Sequence, residues 1–172
     1  MASNELIHLN LRTPISGLGL RVIYHLDLDD QAVIEAVDLI WKKTFRPKAL
    51  EQLSTQEKKI ARAMASLWSG SSSGIQKLNF SEEKGTPFQR QVWAAAQEIP
   101  SGTTLSYGEL AKKIRKPKAA RAVGQALNKN PWPLCVPCHR ITASNHKLGG
   151  FALGSELKKI LLSFEKNPSY RD

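Results

Sequence analysis

Ser106–Lys129 reads SYGELAKKIRKPKAARAVGQALNK, and its punctuation decides how the C-terminal half is organised. Ser106, three residues ahead of Glu109, has the capping-box form and opens a short helix through Leu110 and Ile114. Lys116-Pro117 breaks it, because proline lacks an N–H and disfavours helical backbone at the residue before it. A second helix follows from about Lys118 to Lys129. Two short helices joined by a tight turn form the helix-turn-helix plan, whose second helix meets DNA. Between Lys112 and Lys118 five of the seven residues are basic, at the turn where phosphates would lie. A solvated face is the ordinary explanation for such a run. Its place in this pattern favours nucleic acid.

Downstream, Pro137-Cys138-His139-Arg140-Ile141 places a thiol beside an imidazole, just after the apolar run Leu134-Cys135-Val136. The apolar run reads as a buried strand that ends in a turn fixed by Pro137. Such a turn can hold Cys138 at the mouth of a pocket, where His139 takes its proton directly or through a water. A buried structural cysteine beside a surface histidine is the plain alternative. Cys135 and Cys138 have Cys-x-x-Cys spacing, but a redox pair usually opens a helix and Cys135 lies in a strand-like run. No second cysteine pair accompanies them, so a zinc site is not expected.

The 172 residues suit one domain or two small ones, and a hydrophobic share of 41% is enough for a core. No stretch approaches a membrane span and the N-terminus is unlike a signal peptide, so a cytosolic or nuclear location is expected. Residues 1–84 carry 11 Lys/Arg against 10 Asp/Glu, whereas residues 85–172 carry 14 against 5. The basic excess therefore accompanies the candidate thiol and points to a polyanionic partner.

The first half alternates. Residues 6–11 and 18–26 read as strands around Pro14, Ser16 and Gly17. Asp29 and Asp30 then precede Val33, Val37, Ile40 and Trp41, a spacing that predicts an amphipathic helix with acidic residues at its positive end. Ser54 and Glu57 open another helix through Ile60, Met64 and Leu67. Residues 75–80 read as a last strand and 81–85 as a connection. Thr86-Pro87 starts a helix carrying Phe88, Val92, Trp93 and Ala96. A final helix from Ser155 carries Leu157, Ile160, Leu161 and Phe164 on its core face, with Glu165 at the edge of that face and placed to reach for a partner. The expected fold is α+β: an α/β N-terminal domain, 1–84, then a mainly helical domain, 85–172, with a winged-helix-like helix-turn-helix.

From about Thr86 to Glu165 the chain resembles the O6-alkylguanine-DNA alkyltransferases. The resemblance is carried by Pro87-Phe88-Gln89, Val92-Trp93, Ser106-Tyr107-Gly108-Glu109-Leu110-Ala111, Ala120-Arg121-Ala122-Val123-Gly124, Asn130-Pro131, Val136 to Ile141 and Gly149-Gly150. The first half matches only in pattern. The resemblance implies that Cys138 accepts the alkyl group from guanine O6, that His139 is the general base through a water, and that Glu165 orients His139. Asn130 would order the turn bearing the thiol. Tyr107 would help turn out the nucleotide and donate its hydroxyl to the guanine ring. Arg121 would fill the space the base leaves, flanked by Ala119 and Ala120, with Lys118 beside them on the DNA. Trp93, Leu127 and the backbone of Ile141 and Ala152 would line the base pocket; Ala152 stands where some relatives carry Ser.

The implied partner is double-stranded DNA, met in the minor groove without sequence preference by a monomer. No cofactor is implied; the metal of some relatives' N-terminal domains needs Cys and His ligands, and both cysteines here lie by the candidate thiol site, so no zinc is expected. Single use is implied, since a thioether on Cys138 has no evident leaving route. A lesion-binding relative without transfer, a helix-turn-helix regulator and a turnover Cys-His hydrolase are the rival readings.

Overall fold

A computed structural model describes residues 5–41, 45–144 and 147–167 of the chain. They mix α and β structure in two compact units, Met1–Glu82 and Glu83–Asp172.

In the first unit, β1 (Ile7–Arg12), β2 (Leu18–Leu26) and β3 (Ala32–Trp41) form an antiparallel meander, and β4 (Asn79–Phe80) adds in parallel beside β3. Leu9, Leu20, Val22 and Ile34 are completely buried. Helix α1 (Thr55–Trp68) opens with a reciprocal capping box between Ser54 and Glu57.

Two expectations for this unit need correction. Residues 32–41 are a strand, not an amphipathic helix. The pairing Ile23↔Ala36 followed by Tyr24↔Ile34 leaves Glu35 as an extra residue, a bulge. The bulge stretches the interval between the buried Ile34 and Val37 to three residues, and so imitates helical spacing. Asp27, Asp29 and Asp30 build the hairpin turn instead of a helix start. The Asp27 carboxylate accepts from the N–H groups of Asp29 and Gln31, and Asp30 takes the left-handed backbone at φ 57°. Of residues 75–80, only Asn79 and Phe80 are strand; Ile75–Lys77 is a single 3₁₀ turn.

In the second unit, α2 (Pro87–Gln97) starts with a Thr86–Gln89 capping box and proline at its first position. Then come β5 (Leu105–Ser106), α3 (Tyr107–Lys113) and α4 (Ala120–Asn128), with Arg115 in the left-handed region at the inter-helix turn, φ 59°. β6 (Ile141–Thr142) pairs in parallel with β5 through Leu105↔Ile141 and Ser106↔Thr142. α5 (Ser155–Lys166) closes the unit. The expected strand at 134–136 is a turn: Leu134 sits at φ 74°, and one bridge links Pro133 to Val136. An apolar run is no guide to backbone where a side chain closes a loop, and Asn130 does so here.

Candidate active site

The candidate thiol and imidazole lie on a 3₁₀ turn, Cys138–Arg140. From Trp132 to Thr142 every residue is buried except Cys138, which is half-buried. The turn is anchored on all sides and opens at one thiol.

Asn130, just beyond α4, holds the approach to that thiol. Its amide nitrogen donates to Val136 O at 2.9 Å and to Cys138 Sγ at 3.3 Å, while its Oδ1 accepts from Trp132 N–H at 2.9 Å. Burial pushes the Cys138 thiol up; the bond from Asn130, neighbouring backbone N–H groups and the charge of Lys158 pull it down without cancelling the rise. The resting group is a thiol whose proton has to be taken.

His139 is 1% exposed. Its Nε2 lies 2.9 Å from Glu165 Oε1. Burial pushes the imidazole below its ordinary value; the hydrogen bond and charge of Glu165 oppose this, and the charges of Arg140 and Lys158 add to it. The ring is therefore neutral near pH 7. Burial alone would raise Glu165, yet the bond and charge of His139, with those of Arg140, hold its carboxyl down to about 2. An ionised carboxylate only accepts, so Nε2 carries the ring proton and Nδ1 is an acceptor. Among the described residues, His139 Nδ1 is the buried side-chain nitrogen or oxygen without a partner. Such an atom costs about 1–3 kcal/mol and needs an explanation. A general base waiting for a proton is one.

Tyr107 is the first residue of α3, fixed by the Ser106–Glu109 capping box. Its hydroxyl donates to Gly150 O at 3.2 Å. Burial and then the nearby Cys138 charge raise its pKa, which places it in electrostatic reach of the thiol. Gly149 stands at φ 66°, and a Cβ there would lie 3.0 Å from Ala143 N, so the loop beside Tyr107 needs glycine.

Two buried cations at the site were not singled out from the sequence as part of it. Lys158 is fully buried on α5, donating to Ile141 O at 2.5 Å and Gly150 O at 3.2 Å. Its pKa is lowered by burial and supported by the Cys138 charge. The signal was the spacing of Lys158, Leu161 and Glu165 on one helix face. Arg140 is also buried, against Glu165 and Ile99 O, so it is not a phosphate contact.

The pocket candidates separate. Trp93 is buried, donates its indole N–H to Ala126 O at 2.9 Å and meets Trp132 edge-on at 5.5 Å, so it braces α2 against α4. Leu127 is buried, while Ala152 is exposed in the loop before α5. Both backbone polar groups of Ile141 are engaged, its N–H with Cys138 O and its carbonyl with Lys158. On the helix-turn-helix, Lys118 and Arg121 are exposed, with Ala119 and Ala120 half-buried between them. Lys116 lies 5.1 Å over the Phe88 ring and Lys113 pairs with Glu98 at 2.9 Å. Among the described residues no cluster of metal-ligating side chains occurs.

Beside a helix-turn-helix, this unit sets a half-buried cysteine next to a buried histidine–glutamate pair. Residues 87–167 match the family profile "6-O-methylguanine DNA methyltransferase, DNA binding domain". Through this unit the chain is similar to the O6-alkylguanine-DNA alkyltransferase family. It is 54% identical over 84 residues to the methylated-DNA–protein-cysteine methyltransferase of Methanosarcina mazei, covering 49% of this chain and 53% of that protein. The constitutive enzyme of that name from Bacillus subtilis is 49% identical over 86 residues, with 49% and 52% covered. The chain thus spans about half the length of the curated relatives it matches. Mycobacterium tuberculosis OGT in complex with DNA is similar in structure, with a TM-score of 0.64, 28% identity and 92% of each chain covered. An O6-methylguanine-DNA methyltransferase from Pyrococcus kodakaraensis shares the fold with a TM-score of 0.66 and 24% identity, over 94% of this chain and 99% of that one.

Proposed function

We propose that this chain repairs O6-alkylguanine, chiefly O6-methylguanine, in duplex DNA by moving the alkyl group irreversibly to its own Cys138. One observation carries the reading: the single half-buried residue in a buried turn is a thiol, flanked by a neutral histidine with a bare ring nitrogen. His139, acting through a water, takes the thiol proton. The thiolate attacks the alkyl carbon, the carbon–O6 bond breaks, and its electron pair leaves with the guanine. Tyr107 donates to the guanine ring as negative charge develops there. Asn130 keeps the thiol turn in place and Glu165 keeps the histidine oriented.

The target atom lies inside the duplex, so the nucleotide has to be extruded, at about a few kcal/mol. Arg121 fills the gap, α4 enters the minor groove, and Ala119, Ala120 and Lys118 allow and hold the approach. Trp93, Leu127, Ile141 and Ala152 enclose the base, with Trp93 contributing packing and not a hydrogen bond. The β5–β6 ladder behind α3 and α4 supports a winged-helix-like reading of residues 85–172, with residues 1–84 a separate, structural domain. The protein acts once, as a monomer, in the cytoplasm or a eukaryotic nucleus; its two free cysteines fit a reducing compartment. Among the described residues, no helix is long and apolar enough to cross a membrane.

The test is a duplex carrying labelled O6-methylguanine. One label per protein, on Cys138 and absent in Cys138→Ala, is expected. Binding without transfer, or sustained turnover, would overturn the proposal in favour of a lesion-binding protein or a hydrolase.

A further inference from the structure

Glu165 is held by more than the histidine. Arg140 Nε lies 3.0 and 3.1 Å from its two oxygens, and Nη2 lies 2.8 Å from Oε1. The Gly102 N–H donates to Oε2 at 3.0 Å. Arg140 Nη1 donates to Ile99 O at 2.6 Å, so the turn that ends α2 fixes the guanidinium itself. A planar fork engages both carboxylate oxygens and a backbone carbonyl at once in a fixed geometry, which the rotating point charge of an ammonium does not impose.

These donors surround the carboxylate that faces His139. A proton shared between the two has one stable place, the ring nitrogen. We propose that Arg140 is a positioning residue for the alkyl transfer: it locks Glu165 as an acceptor, fixes His139 with its proton on Nε2, and leaves Nδ1 as the base. This deepens the transfer reading and rests on it. The charged groups that act on His139 are Arg140 from its own turn and Glu165 and Lys158 from α5, while the thiol next to it feels Asn130 and Lys158 and in turn acts on Tyr107 of α3. Glu165 favours the imidazolium; Arg140 and Lys158 disfavour it. Removing Arg140 therefore moves the ring toward protonation and frees Glu165 to take the shared proton.

The experiment pairs ¹⁵N-histidine spectra of the full chain with single-turnover methyl transfer across pH, for the wild type, Arg140→Gln and Arg140→Lys. The wild type should show His139 protonated on Nε2 and bare on Nδ1 at neutral pH. Arg140→Gln should raise both the ring's titration midpoint and the acid limb of transfer by about one pH unit, with burst stoichiometry unchanged at high pH. Arg140→Lys should keep the midpoint near wild type yet show mixed tautomers and a slower plateau. An Nδ1–H tautomer in the wild type, or unchanged tautomer and midpoint in both variants, overturns the inference. If Arg140→Gln does not fold, tautomers decide: a pure Nε2–H form in the wild type with a mixture in Arg140→Lys supports it, and the same pure form in both overturns it. A wild type with the expected tautomer but no transfer would remove the proposed function and leave this arrangement standing. Transfer with an unmoved acid limb does the reverse.

Discussion

Each unit buries a glutamate against a cation, and the two arrangements end differently. Glu57 closes on itself: its carboxylate accepts from Lys48 Nζ at 2.8 and 2.9 Å and from the Ser54 N–H at 2.8 Å. Glu165 takes a comparable set of donors, but its chain of bonds runs on through His139 to a nitrogen without a partner, next to a half-buried thiol. A saturated network stabilises a fold. One left open at a single atom has a task for that atom. The contrast sets the second unit apart as the one with an unpartnered buried nitrogen next to a half-buried thiol, without reference to any relative.

The sharpest way to break the contrast is Cys138→Ala. It should abolish labelled-methyl transfer entirely while leaving duplex binding in place; residual transfer to another residue would show that the open end lies elsewhere. Glu165→Gln should slow single-turnover transfer by about 10²–10⁴-fold, the range of a general base losing its orienting carboxylate. Arg121→Ala should slow transfer from duplex DNA but spare free O6-alkylguanine base, because only the duplex requires extrusion. The smallest effect belongs to the closed network. Glu57→Gln should cost about 1–2 kcal/mol of unfolding free energy, toward the low end because Lys48 is partly solvated, and leave the burst at one methyl per chain.

Acid sensitivity sharpens the same comparison. Both glutamates have lowered pKa values in the folded chain, although burial alone would raise each: Lys48 and the Ser54 N–H hold Glu57 down, and His139 with Arg140 hold Glu165 down to about 2. Each contributes stability that is full above the unfolded carboxylate pKa and is lost as pH falls through the folded one. Glu165→Gln should therefore flatten acid unfolding at the low end of the curve, and Glu57→Gln should do so nearer the ordinary carboxylate range.

Local rules were legible where the chain states them locally. The capping boxes at Ser54, Thr86 and Ser106 place the starts of three helices, and Pro117 places the helix-turn-helix break. What stayed illegible depends on partners far away in sequence. The bulge at Glu35 exists because β2 slips one residue between Ile23 and Tyr24, so β3 alternates wrongly for a strand and passes for a helix. Leu134 reads as strand and adopts a left-handed backbone because Asn130 closes the turn from outside it. Arg140 looks like a solvated basic residue, and nothing short of its buried carbonyl and carboxylate partners reveals otherwise; for Lys158 the one local sign is its place on the helix face of Leu161 and Glu165. The thiol and its histidine were visible as a pair; the cations that set their protonation were not.

The ladder between β5 and β6 has two rungs, and it acts as a gauge. One end of it leads directly into Tyr107, and the other follows directly from the turn of Cys138. The separation of hydroxyl and thiol is thus set by register and not by side-chain flexibility. A single residue inserted between Arg140 and Ile141 would displace one group against the other by about 3.3 Å, roughly one rung. A change of that size, made without touching the thiol or the hydroxyl, would put the two out of alignment.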